Sequence, residues 1–443
     1  MTDVTAARSR HADLDAALAA SVEAFANANP ASRAAFEQNA RHMPAANSRS
    51  VLFYPPFPLT IVRGEGARVW DADGHAYIDV IAEYTAGVYG HSPEPIQAAV
   101  TAAMRNGISL TGHNPYEGRL AALLCERFAQ LELVRFTNSG TEANLMAVTA
   151  ARHFTGRNRI VVFAGAYHGG VLGFGDAPLP TTVPFDFIVL PYNDPDAVSA
   201  AFVKHGDQIA AVLVEPMMGA GGCIPGTAAF LTRVREASLA AGALLIVDEV
   251  MTSRLAPHGL AALHGIRPDL TTLGKYLGGG MPFGAFGGRR EIMALFDPRT
   301  GPLAHSGTFN NNVVTMAAGH AGLTELFPPE AAARLSARGE ALRARLNARC
   351  TSLGVPLQFT GVGSVMNAHP VAGDIARPAD LLTCDSRVRQ LLFLWLIAQG
   401  IYTAPRGLMV LSLPLSDEDI ERLVEAIEGF VQTYGALLGR RDG

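Results

Sequence analysis

Lys275 follows an apolar run, Leu270-Thr-Thr-Leu273, and is followed by three consecutive glycines, Gly278 to Gly280. That setting is a poor one for a solvated surface charge, and the glycines let backbone or ligand come close. Asp248 lies 27 residues upstream, at the end of a second apolar run, Leu244-Leu-Ile-Val-Asp248. An amine and a carboxylate at the ends of two such elements form the reactive half of a cofactor site. The amine can form a Schiff base with an aldehyde, and the carboxylate can hold a proton on a pyridine nitrogen. Both fit pyridoxal phosphate (PLP), with Lys275 as the Schiff-base lysine and Asp248 as the pyridinium partner.

Such a site also needs a phosphate cradle and a ring clamp. Asn138-Ser139-Gly140-Thr141-Glu142 follows one strand-like run and opens a helix. A glycine turn there points free N–H groups and a positive dipole end at an anion, and Ser139 and Thr141 add hydroxyls. Tyr167, in Ala166-Tyr167-His168-Gly169-Gly170, ends another run and can stack on a flat ring, with Val250 packing on the opposite face. Glu215, in Val214-Glu215-Pro216, is a second acidic residue at a run's end, able to orient the ring edge or a neighbouring group. Each feature also has an ordinary reading, as an N-cap, a core aromatic or a buried ion pair. Together they stand in the order cradle, clamp, counter-ion and lysine, each at the end of an element. Open α/β sheets bind ligands there, outside the carboxyl ends of their strands.

The elements that would position these groups fit that expectation. Short runs apolar on both faces occur at 133–137, 160–163, 187–190, 211–214, 244–247, 270–273 and 285–287, with helical segments such as 142–153, 228–241 and 312–326 among them. This is the pattern of an α/β domain whose mostly parallel sheet is covered by helices on both sides. Before it, residues 12–28 carry Leu14, Leu18, Val22 and Phe25 on one helical stripe, and residues 59–80 read as a small antiparallel meander. After it come a helix over 330–350, a strand pair over 357–369, a helix over 385–399, a strand over 408–413 and a final helix opened by Ser416. The expected division is 1–80 and 329–443, forming a small α+β domain from both chain ends, and 81–328, forming the large domain.

Composition narrows the function. The chain of 443 residues is 49% hydrophobic and 17% charged, as compact soluble proteins are. A net charge of −5 with no basic tract argues against nucleic acid. Four scattered cysteines without a CxxC pair argue against a zinc site or disulfide framework and favour the cytoplasm. No apolar run reaches the length of a membrane span.

The runs Asn138-Ser-Gly-Thr-Glu-Ala143, Val214-Glu-Pro216, Val247-Asp-Glu-Val-Met251, Thr272-Leu-Gly-Lys275 and Gly307-Thr308-Phe309 resemble the class III aminotransferases of PLP fold type I. The resemblance covers nearly the whole chain, in order. Within the class, Asp248-Glu-Val-Met-Thr252 is similar to the glutamate-1-semialdehyde aminomutases. The runs at 46–54, 81–91, 252–259, 305–312 and 405–407 resemble the aminotransferases of aromatic β-amino acids such as β-phenylalanine more closely.

This resemblance implies that Thr308 reaches the phosphate of a neighbouring subunit, which makes the enzyme a homodimer with shared sites. It implies that Arg49 and Arg406 hold substrate carboxylates, Arg49 as a fixed anchor and Arg406 as an arm that swings in for a dicarboxylate and out for a phenyl ring. Tyr84, Tyr89 and Met217 would line the apolar side. The implied reaction moves the amino group of an (S)-β-amino acid to 2-oxoglutarate or pyruvate. A 2,1-aminomutase is the alternative.

Overall fold

A computed structural model describes residues 2–439. Its centre is a seven-stranded sheet in the order 133–137, 284–288, 270–274, 244–248, 209–214, 159–163, 186–190. Only the strand Gly284–Gly288 runs antiparallel to its neighbours. The expected runs are all present, each extended by at most two residues. The strands at 209–214, 244–248 and 270–274 are buried along their whole length, as strands covered on both faces must be.

Pairing places the chemistry in register. Asp248 stands opposite Thr272, and Gly284 stands between Thr137 and Gly274. The strand ends that lead into Ser139, Asp248 and Lys275 are therefore at one edge of the sheet. The helix Gly140–Thr155 starts from that edge, with the Ser139 side chain accepting from Glu142 N–H at 3.2 Å as its N-cap.

The chain's two ends meet in smaller sheets. The meander 61–65, 68–71 and 76–79 gains a fourth, parallel strand, Ile401–Tyr402, which pairs with Ile78 and Asp79. A three-stranded sheet joins 358–362, 365–369 and 408–410. The last of these is shorter than the expected 408–413, because Leu411 and Leu413 turn their N–H groups to Ser364 and Val88. The expected helix 312–326 is α-helical only over Val313–Ala321 and ends in a π turn, Gly322–Leu326. A side chain at Gly322, where the π turn begins, would strike the ring of Tyr89 at 2.6 Å, so only glycine fits there. No helix among the described residues is long and apolar enough to cross a membrane.

Candidate active site

Asp248 is buried, at 4% exposure. Its Oδ2 accepts from Asn144 Nδ2 and from His168 Nδ1, both at 2.8 Å, and its Oδ1 accepts from Val250 N–H at 2.9 Å. Asn144 is itself fixed by donating to the His168 carbonyl at 3.0 Å and accepting from Thr272 Oγ1 at 2.7 Å. This network orients the carboxylate and leaves room on Oδ1 for one more donor. Neither Asn144 nor His168 carries a site role in the sequence reading. The signals were there, a polar residue one helical turn into the cradle helix and a histidine beside Tyr167.

Lys275 follows its strand directly and has a left-handed backbone, φ 57°. Burial, then the nearby Arg49 and Arg406 guanidinium groups, push its amine down to about 8, against the opposing pull of Asp248 and Glu83. Both arginines therefore lie within electrostatic reach of the lysine. Their guanidinium carbons also sit over one ring, that of Tyr84, at 5.5 Å for Arg49 and 5.4 Å for Arg406. Arg49 is ion-paired with Glu83 and half-exposed. Arg406 has no ion pair among the described residues. It stands in a tight turn closed by Gly407 N–H to the Ala404 carbonyl at 2.8 Å.

The segment bearing Glu83 and Tyr84 is unusual. Ala82, Glu83, Tyr84 and Thr85 have φ of 41°, 46°, 53° and 80°. Each such residue costs on the order of 1–2 kcal/mol, so the surroundings must hold the turn. Asp79 Oδ1 caps its start, accepting from the N–H groups of Ile81 at 2.8 Å and Ala82 at 3.0 Å.

The other expected lining residues divide. Met217 is fully buried in an apolar cluster with Tyr84, Ile81, Ala404 and Leu408, so it backs the tyrosine. Tyr89 corrects the expectation. Its ring packs with those of Tyr276 and Phe327, each 6.4 Å away, in the main hydrophobic core. Only four residues lie between it and Tyr84, yet the two rings belong to different clusters.

At the cradle, the N–H groups of Gly140 and Thr141 have no acceptor among the described residues, while Glu142 N–H is taken by Ser139. A side chain at Gly140 would meet Val250 at 2.8 Å, so the approach to the helix end is open only because residue 140 is glycine. Tyr167 is 52% exposed, leaving its ring free to stack. Glu215 is buried and spent on backbone donors, Gly219 N–H at 2.7 Å and Tyr167 N–H at 3.4 Å, and burial raises its carboxyl to about 7. Thr308 lies in an exposed turn that is held beside the cradle of its own chain by Asn138 Nδ2 donating to Asn310 Oδ1 at 2.9 Å. An anion cradle, an exposed aromatic face, a held carboxylate and a depressed lysine fit PLP.

Comparison with known proteins agrees. Residues 53–431 match the family Aminotransferase class-III. A β-phenylalanine transaminase of Variovorax paradoxus is 68% identical over 432 residues, 98% of this chain and 100% of the relative. The crystal structure of a β-phenylalanine aminotransferase from that organism superposes with a TM-score of 0.96, covering 97% of this chain and 100% of the other. A transaminase solved with PLP bound is 33% identical, with a TM-score of 0.84 over 93% of this chain and 98% of its own. A glutamate-1-semialdehyde 2,1-aminomutase of Brevibacillus brevis is 39% identical, over 83% of this chain and 90% of the relative. The chain belongs to the class III aminotransferases, enzymes that work with pyridoxal phosphate.

Proposed function

We propose that this aminotransferase moves the amino group of an (S)-β-amino acid, β-phenylalanine, to 2-oxoglutarate or pyruvate, giving a 3-oxo acid and glutamate or alanine. The observation that carries this reading is the pair Arg49 and Arg406, both over the Tyr84 ring and both within reach of the Lys275 amine. Every substrate of the reaction bears a carboxylate, which guanidinium binds in a bidentate, orienting way. Tyr84, buried in one apolar cluster with Met217, would set the apolar side of the site for a phenyl group beside those charges. The 68% identical relative is named for the same substrate.

Ser139, Gly140 and Thr141 would hold the cofactor's phosphate, Tyr167 and Val250 its two ring faces, and Asp248 its ring nitrogen. Glu215 would fix the backbone of the Tyr167 loop. Bound PLP supplies a conjugated ring that takes up the electron pair released at the amine-bearing carbon. Asp248, oriented by Asn144 and His168, would keep a proton on the ring nitrogen. Lys275 Nζ would take up and return the proton at the amine-bearing carbon. An amine held near about 8 has a usable neutral fraction at neutral pH for that transfer. Arg49 anchors the carboxylate common to all substrates, and Arg406 takes the second carboxylate of 2-oxoglutarate. Thr308 would complete the phosphate site of a partner subunit in a cytoplasmic homodimer.

The test is a panel of amino donors with product identification. (S)-β-phenylalanine with 2-oxoglutarate or pyruvate should yield glutamate or alanine and the 3-oxo acid. No new amino acid, with conversion of glutamate-1-semialdehyde in the absence of any acceptor, would replace this reading with the aminomutase.

A further inference from the structure

A buried arginine ordinarily answers to a carboxylate, because an uncompensated charge out of water is expensive. Arg254 does not. It is 0% exposed and has no acidic partner among the described residues. Its Nη1 donates to the carbonyl of Thr85 at 3.1 Å and its Nη2 to the carbonyl of Leu411, and its Nε has no partner. Burial lowers it to about 10, which leaves it charged near neutral pH.

The two carbonyls belong to the two segments on the substrate side. Thr85 ends the left-handed run 82–85 that bears Glu83 and Tyr84. Leu411 follows the strand Leu408–Val410, which leaves the Arg406 turn. Main-chain pairing, Val410 N–H to the Val80 carbonyl at 2.7 Å, already brings the two segments alongside. Asp79 holds the beginning of the strained turn, and Arg254 holds its end. Arg254 also stands six residues after Asp248, in the turn that leaves the same strand.

We infer that Arg254 is a positioning residue. It ties the Tyr84 turn and the Arg406 turn to the element bearing Asp248, and so sets how far the carboxylate-binding guanidinium groups stand from the Lys275 amine. The inference rests on the reading of Arg49 and Arg406 as carboxylate anchors. That separation matters to the substrate. β-Phenylalanine carries its phenyl group on the amine-bearing carbon and its carboxylate one carbon away, whereas L-phenylalanine has the two the other way round, so a clamp at a fixed distance seats the two aromatic donors differently.

The experiment uses the holoenzyme and the variants Arg254→Lys and Arg254→Met, with half-reactions followed separately for (S)-β-phenylalanine, L-phenylalanine and 2-oxoglutarate. For Arg254→Met, the KM for β-phenylalanine and for 2-oxoglutarate should rise about tenfold while kcat stays within about threefold, the signature of lost positioning. The cofactor absorbance of the resting enzyme should be unchanged, and the preference for the β- over the α-amino acid should fall about tenfold. Arg254→Lys should recover part of the loss, since one ammonium reaches one carbonyl but cannot fork to both.

KM values and selectivity within about twofold of the parent in both variants would overturn the inference. So would a fall in kcat alone, or failure of both variants to fold with cofactor, which would make Arg254 a residue of the fold and nothing more. If the parent enzyme does not take β-phenylalanine, the substrate reading fails instead, and the KM for 2-oxoglutarate alone decides the role of Arg254.

Discussion

Replacing Arg406 with alanine should divide the two half-reactions. Its guanidinium has no ion pair among the described residues, so its removal leaves no orphaned acid behind. What the fold loses is the contact with the Tyr84 ring, at 5.4 Å, which contributes on the order of 0.5–1 kcal/mol. The variant should therefore fold and bind cofactor. Its loss falls on the substrate. A hydrogen bond to a charged group contributes about 1.5–3 kcal/mol, which corresponds to roughly 10- to 150-fold in kcat/KM. For 2-oxoglutarate, with two carboxylates, that loss should appear in full. For β-phenylalanine, with one carboxylate held by Arg49, it should stay within about threefold. Arg406 also depresses Lys275, so its removal raises the lysine and slows both half-reactions at neutral pH. That factor is common to both and cancels in their ratio. The assay is rapid mixing of each substrate with the matching cofactor form, followed by cofactor absorbance. Equal losses in the two half-reactions would refute the assignment of Arg406 to the second carboxylate.

Gly140→Ala should weaken PLP binding, because the new Cβ would meet Val250 at 2.8 Å, and a branched side chain wedged against the cradle has little room to yield. The cost of such overpacking is about 1–3 kcal/mol, or roughly five- to 150-fold in cofactor affinity by titration of the apoenzyme, and unchanged affinity would contradict the cradle. In the apoenzyme, coupling of Lys275 to added PLP should rise with pH to a midpoint near about 8, since only the neutral amine reacts. Removing Arg49 or Arg406 should move that midpoint upward, because the ammonium form loses a repelling neighbour; a midpoint that stays in place would show that the arginines do not act on the lysine.

The cradle, Asp248 and Lys275 were legible from residue order because their settings are local. A strand's end, a glycine turn and an N-cap are each decided within a few residues, and the strands arrived almost where the apolar runs stand. Three helices that the sequence reading passes over, Glu94–Arg105, Pro115–Arg127 and Pro195–His205, also carry local signals, a proline in the first turn of each and an Asn114 or Asp194 cap on two. The first of them also has Ile96 and Val100 at helical spacing, both packed on the main core.

What sequence order could not decide is which distant groups share a space. The partners of Asp248 come from 104 residues away, at Asn144, and from 80 away, at His168. Arg254 answers to carbonyls 169 and 157 residues distant. Tyr84 and Tyr89 are alike in type and close in sequence, yet past four left-handed residues one ring lies beside two arginines and the other in the core. No local propensity dictates such a turn, since it opposes the backbone's own preference. The chemistry was written at the ends of local elements. The substrate side, drawn from both ends of the chain, exists only once tertiary contacts hold a strained backbone in place.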